Sequence, residues 1–123
     1  MLVTSIPQYI QGLTNAKADL STTNLTTLYT APTGDDFNAS VINSILVSED
    51  SGNADTITLT VTDSASAVFS LYKTKAISAN ATAELLTHSG IYMTAGEKIS
   101  ATAATANRLH IIISVRESFV GTN

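Results

Sequence analysis

From Asp55 to Asp63 the chain alternates strictly, with Ile57, Leu59 and Val61 on one parity and Thr56, Thr58, Thr60 and Thr62 on the other. Period-two alternation sends every apolar side chain to one face, which predicts a half-buried β-strand. Threonine and the β-branched aliphatics suit a pleated surface because their stiff χ1 angles lose little freedom there. Asp50-Ser-Gly-Asn-Ala54 and Asp63-Ser-Ala-Ser66 bound the strand with residues that form turns by bonding their own backbone. The pattern returns at Arg108–Arg116, where Leu109, Ile111, Ile113 and Val115 oppose Arg108, His110, Ser114 and Arg116, and only Ile112 breaks the polar face.

Further strands follow from shorter runs. Leu25–Ala31 ends at the turn signal Pro32-Thr-Gly34. Val41–Ser48 carries apolar residues on both parities, Val41, Ile45 and Val47 against Ile42 and Leu46, which predicts a strand covered on both faces. Ala67–Lys73 sets Phe69 and Leu71 against Val68, Ser70 and Tyr72. Ala76–Ala79 and Thr82–Leu86 flank a turn at Asn80, Gly90–Thr94 is short, and Glu97–Ala103 places Ile99, Ala101 and Ala103 inward. About eight strands at spacings near 8–12 residues, with no helical period of useful length, predict an antiparallel β-sandwich of jelly-roll or immunoglobulin-like kind.

The first 23 residues fit this pattern least. Ile6, Tyr9, Ile10 and Leu13 fall at i, i+3, i+4 and i+7, the spacing of a short amphipathic helix, against which Pro7 and Gly12 count. The alternatives are a disordered tail and an arm that orders against a neighbouring subunit. The division that follows is an arm over 1–23, a sandwich over 24–118 and a tail over 119–123. An arm of this kind should be dispensable for folding. Its apolar residues Ile6, Tyr9, Ile10 and Leu13, with Ile42 and Leu46 of the two-faced strand, are the candidate interface.

Composition narrows the field of function. Of 123 residues, 44% are hydrophobic and 13% charged, roughly half the usual charged share of about 25%. A net charge of −4 and only six basic residues argue against a nucleic-acid partner, because phosphate binding needs clustered Lys and Arg. The absence of cysteine removes disulfides and cysteine-type zinc sites. No stretch reaches the roughly 18 apolar residues of a membrane span, and Met1–Pro7 lacks the basic and apolar regions of a secretory signal, so folding in a cytoplasm is expected.

Candidate chemistry is thin. His88 lies in the polar run Leu86-Thr-His-Ser-Gly90 and His110 on the polar face of the last strand. A serine near either makes a nominal triad in so Ser-rich a chain, and a hydrolase would require serine, histidine and carboxylate to converge in a cleft. Asp35-Asp36 and Glu49-Asp-Ser-Gly-Asn-Ala-Asp55 carry oxygen ligands of the kind calcium takes, but the second is shorter than a calcium loop and lacks its closing Glu. An ordinary turn is the simpler reading. Tyr29, Phe37, Phe69, Tyr72 and Tyr92 would make a sugar platform only if several lined one surface; core packing is the plainer use. The residues therefore assign no catalytic site, metal or cofactor.

The segments Leu28-Tyr-Thr-Ala-Pro-Thr-Gly34, Val41-Ile-Asn-Ser-Ile-Leu-Val-Ser48, Ile57-Thr-Leu-Thr-Val-Thr-Asp63, Glu84-Leu-Leu86 and Ala95-Gly-Glu-Lys-Ile-Ser-Ala-Thr-Ala103 together resemble a family of small virion proteins of tailed bacteriophages. The likeness spans about residues 25–117 and consists of strands and turns. Glu97 stands where the family more often has Asp. The resemblance implies a non-enzymatic head decoration (cement) protein, or a tail or fibre subunit, assembled in the host bacterial cytoplasm and carried in the virion. Its partners would be the major capsid protein or other virion proteins and further copies of itself, a trimer suiting the threefold sites of a capsid. A carbohydrate-binding module is the alternative from another class.

Overall fold

The computed structural model describes residues 7–122, and Ile6 lies outside them. Among the described residues there are nine strands and no helix: β1 Pro7–Asp19, β2 Thr26–Thr30, β3 Phe37–Glu49, β4 Asp55–Thr62, β5 Val68–Ile77, β6 Thr82–Glu84, β7 Ile91–Met93, β8 Lys98–Ala103 and β9 Leu109–Thr122. They form two antiparallel sheets. One runs β1-β9-β3-β6, with β7 pairing the same side of β3 further along, and the other runs β2-β8-β4-β5. The sheets pack face to face over Ile42, Ile45, Val47, Ile57, Leu59, Ile99, Leu109, Ile111 and Ile113, all within 1% of complete burial. The expected all-β, two-sheet architecture is thus present.

The two parities of β3 have a different origin from the expected double cover. Pairing with β9 runs Ile42↔Val115 and then Ser44↔Ser114, so Asn43 is an extra residue. A bulge reverses which side chains face inward. Before it Ser40 and Ile42 point into the core, and after it Ile45, Val47 and Glu49 do, all five at 2% exposure or less. Ile42, expected at an outer interface, is therefore a core residue. Leu46 does face outward, 37% exposed, opposite Ile112 at 41%.

The bulge is held by a carboxylate. Glu84 of β6 accepts the Ile45 N–H at 2.7 Å, the Leu86 N–H at 3.1 Å and the Ser44 hydroxyl. An amide displaced from the ladder thereby keeps a partner, as a half-buried donor must. The loop leaving β6 then passes so close to β3 that a Cβ on Gly90 would stand 2.8 Å from the Ile42 carbonyl oxygen, which reserves that position for glycine.

Residues 7–19 are neither helix nor loose arm. β1 pairs with β9 along its whole length, from Pro7↔Thr122 to Asp19↔His110, so the expected tail at 119–122 is strand as well. Ala16 and Ala18 sit opposite the core residues Ile113 and Ile111, and Leu20 closes that end of the core at 1% exposure. The helical spacing yields at Tyr9, Ile10 and Leu13 because a lone short helix gains no hydrogen-bond partner from β9, whereas a strand there satisfies the edge of β9 residue by residue.

The other expected strand to change phase is β5. Its register with β4 breaks between Ile57 and Leu59 and again between Leu59 and Thr60, so Phe69 faces Val61 and Tyr72 faces Leu59. Phe69 and Tyr72 thus share a face that strict alternation assigns to opposite sides, and Leu71 falls outside the pairing.

Removing residues 1–20 is expected to destabilise the domain, contrary to the behaviour of a dispensable arm. Leu20→Ala alone should cost about 2–5 kcal/mol, and the deletion more. Urea denaturation followed by far-UV circular dichroism checks both; a truncated chain with an unchanged midpoint would contradict the placement of β1.

Candidate functional site

The candidate interface residues are scattered by the fold. Tyr9 and Ile10 lie in β1 at the register positions of Val120 and Phe119. Leu13, at the middle of β1, is 84% exposed, whereas Ile42 is in the core. On the outer face of the first sheet, one cross-strand row runs Leu13, Arg116, Val41, Tyr92, with Tyr92 79% exposed. A second surface lies on β5, where Val68, Phe69 and Leu71 are 59%, 58% and 42% exposed. β5 is an edge strand of its sheet.

Next to β5 an open groove of about 280 Å³ runs between Leu71 and Tyr72 on one side and the loop 85–91 on the other. Its floor is apolar, from Leu85, Leu86 and Ile91, and the Tyr72 hydroxyl is occupied by the Leu85 carbonyl at 2.8 Å. His88 and Ser89 line it, but no carboxylate does. The arrangement lacks the third group that orients a histidine base.

His110 has the carboxylates but not the cleft. Its Nε2 lies 3.4 Å from Asp19 and its Nδ1 3.5 Å from Asp50, all three side chains about half exposed. Ser48 is its cross-strand neighbour on β3. Each ring nitrogen faces a carboxylate rather than Ser48. The cluster brings the end of β1 and the β3–β4 turn against β9, through exposed polar contacts of small individual worth.

The acidic turn Glu49–Asp55 spends its ligands on itself. The Glu49 carboxylate accepts the main-chain N–H groups of Ser51 and Asn53 at 2.8–3.0 Å and the Ser51 hydroxyl at 3.0 Å, while Asp55 accepts the Thr105 N–H at 3.1 Å. Burial raises the Glu49 pKa, but these amide bonds outweigh it and hold the group below the ordinary value of 4.5. Among the described residues no three His, Asp or Glu side chains converge as a metal site. The same balance of burial against hydrogen bonds from Ser44, Ile45 and Leu86 holds the Glu84 carboxyl low.

One polar cluster escaped the sequence reading. Tyr29 of β2 donates its hydroxyl to Glu117 of β9 at 2.6 Å and lies 2.6 Å from the Ser40 hydroxyl of β3, a bridge between the two sheets. Burial, and then the bond to Glu117, push the phenol far above its usual titration range. Nothing in the local sequence marks Ser40 or Glu117 as partners 11 and 88 positions away. The period-two phase does put Glu117 on the inward parity of β9, which was the available signal.

No protein-family model matches the chain, and no curated protein matches it.

Two measurements follow. The Glu84 and Glu49 carboxyls are held low, so the folded state binds fewer protons than the unfolded chain near pH 4.5. Their contribution is fully present above that pH and is lost as pH falls through the lower folded values. The urea midpoint should drop on acidification, and Glu84→Gln should cost about 1–3 kcal/mol at neutral pH and flatten the drop. Tyr29→Phe, which leaves Ser40 and Glu117 without their shared partner, should also cost about 1–3 kcal/mol by the same assay.

Proposed function

We propose that this chain is a non-enzymatic structural subunit of a tailed-phage particle, a head decoration protein that binds neighbouring capsid subunits and is carried in the virion. The observation that carries the reading is the exposure of Val68, Phe69 and Leu71 on the edge strand β5. Large apolar side chains gathered at an uncovered sheet edge fit burial against a partner better than life in water. The resemblance of residues 25–117 to small virion proteins points the same way.

The topology supports a jelly roll. When β6 and β7 are counted as one interrupted strand on β3, eight strands pair first with last, second with seventh, third with sixth and fourth with fifth, as in a long antiparallel hairpin wound into two four-stranded sheets. Jelly rolls serve viral capsids and lectins alike. Fold alone decides between them no better than sequence does. Against a sugar platform, the cross-strand row Leu13, Arg116, Val41, Tyr92 carries one ring, that of Tyr92. Partners on this reading are the major capsid protein and further copies of the chain. A tail or fibre position is the second structural role.

Antibody raised against the chain should label the heads of intact particles in immunogold micrographs. Val68→Ser combined with Phe69→Ser should leave the folding midpoint within about 0.5 kcal/mol and abolish retention on purified heads. Label confined to tails would move the assignment to the fibre role, and antigen free of particles would remove it.

A further inference from the structure

The two sheets have four lateral edges, and three of them are protected in ways that discourage strand pairing. β2 is five residues long and bulged between Thr27 and Tyr29. β6 and β7 are three residues each. β5 is broken twice in register, carries Lys73 and Lys75, and holds Thr74 at a φ of 51°. The fourth edge, β1, is different: it is 13 residues long, its register with β9 is unbroken, and it carries a single lysine.

The direction of its free hydrogen-bonding groups follows from pairing. Leu20 donates its N–H to the Leu109 carbonyl at 3.0 Å, and Asp19 stands opposite His110. In an antiparallel ladder this makes the even-numbered residues of β1 the ones that bond β9. Gln11, Leu13, Asn15 and Lys17 therefore direct their N–H and C=O groups away from the sheet. Their side chains lie on its outer face, and Leu13 at 84% is the most exposed large hydrophobic residue described.

We propose that β1 pairs antiparallel with β1 of a second copy of this chain about a two-fold axis through Leu13, joining the two β1-containing sheets into one continuous sheet. Leu13 is the midpoint of Pro7–Asp19, so this register matches Pro7 with Asp19 of the second copy and uses the whole strand. It sets odd residues against odd residues, as the free groups require. Leu13 meets its own copy and leaves water, and Gln11 faces the Asn15 amide of the second copy. No like charges oppose each other: Lys17 falls at the position of Tyr9 and Asp19 at that of Pro7. A register centred on Lys17 would instead set that lysine against itself and leave residues 7–14 unpaired. The pairing rests on the strand edge alone and stands whether or not the chain is a virion subunit. It also differs in symmetry from a capsid-threefold trimer.

The test is sedimentation of the full chain over a concentration series. The expected species has twice the 12.8 kDa chain mass. Leu13→Lys, which puts two ammonium groups across the axis, and Asn15→Pro, which removes one outward N–H without touching the bonds to β9, should each sediment at the chain mass with unchanged circular dichroism and thermal midpoint. Because the chain has no cysteine, Leu13→Cys reports the register directly. Paired residues about 5.5 Å apart at Cα suit a disulfide, so mild oxidation should cross-link Leu13→Cys and leave Lys17→Cys uncoupled. A wild-type chain that stays at the single-chain mass, or assembles as a trimer, overturns the proposal. So does a dimer that survives both Leu13→Lys and Asn15→Pro, or one that cross-links through Lys17→Cys rather than Leu13→Cys.

Discussion

The bulge at Asn43 is the constraint on which the first sheet depends. β3 must present Ser40 and Ile42 to the core near β7, and Ile45 and Val47 near β6, and no regular strand can do both, because side chains alternate faces with a period of two. One inserted residue resolves the conflict. Its consequence is a break in the ladder on the β6–β7 side, and Glu84 fills that break with a carboxylate that gathers Ser44, Ile45 and Leu86. That explains why the edge strand is split into β6 and β7: the loop between them crosses at the bulge, and Gly90 allows it to lie against the Ile42 carbonyl. It also explains the shape of the surface. The segment 85–91 that crosses at the bulge also forms one wall of the groove beside Tyr72.

β9 plays the complementary part. It pairs with β1 over 13 positions and with β3 over most of its length, so it is, with β3, one of the two interior strands of the first sheet. Its inward residues alternate without interruption from Leu109 to Glu117. The last of these is polar and lies under Tyr29, so the sheets are joined at that end by hydrogen bonds where the apolar core has thinned. A tyrosine suits the place because its ring packs while its hydroxyl reaches a partner. Stability here is divided between dispersion at one end and a small satisfied polar network at the other.

How much of this was legible in the sequence depended on local regularity. β4, β8 and the first eight residues of β9 alternate cleanly, and their inward residues were read correctly from parity alone. β3 and β5 were located but misphased, since a bulge inserts a residue without any residue type that announces it; Asn43, Leu71 and Thr74 are all compatible with an unbroken strand. β1 was missed because its sequence has little alternation to show. Among the described side chains one face packs Ala16 and Ala18 against the core and the other meets solvent, so neither parity reads as strongly apolar. The turn at Asn80 was visible from short-range spacing. The Tyr29–Ser40–Glu117 bridge and the role of Glu84 were not, since both join residues whose proximity exists only after the sheets are wound.

The exposed edge of β1 raises a question of specificity as well as of energy. Main-chain groups in water lose nothing by being unpaired, so an open edge is tolerable for one molecule; its hazard is that any extended chain can add to it. The amide ladder is nearly indifferent to sequence. Selectivity must therefore come from the side chains of the odd-numbered residues, which are few. Leu13 rewards only a register that brings another apolar group opposite it, and the amides of Gln11 and Asn15 reward only a register that brings them together. A slip by two residues sets Leu13 against the polar side chain of Asn15 or Gln11 and separates the two amides, while a slip by one turns the free groups of one strand toward the bonded side of the other. With Leu13 central and the single lysine near one end, β1 is thus better matched to its own reverse than to an arbitrary strand. A long unguarded edge can persist in a chain whose other three edges are guarded when its composition selects one partner.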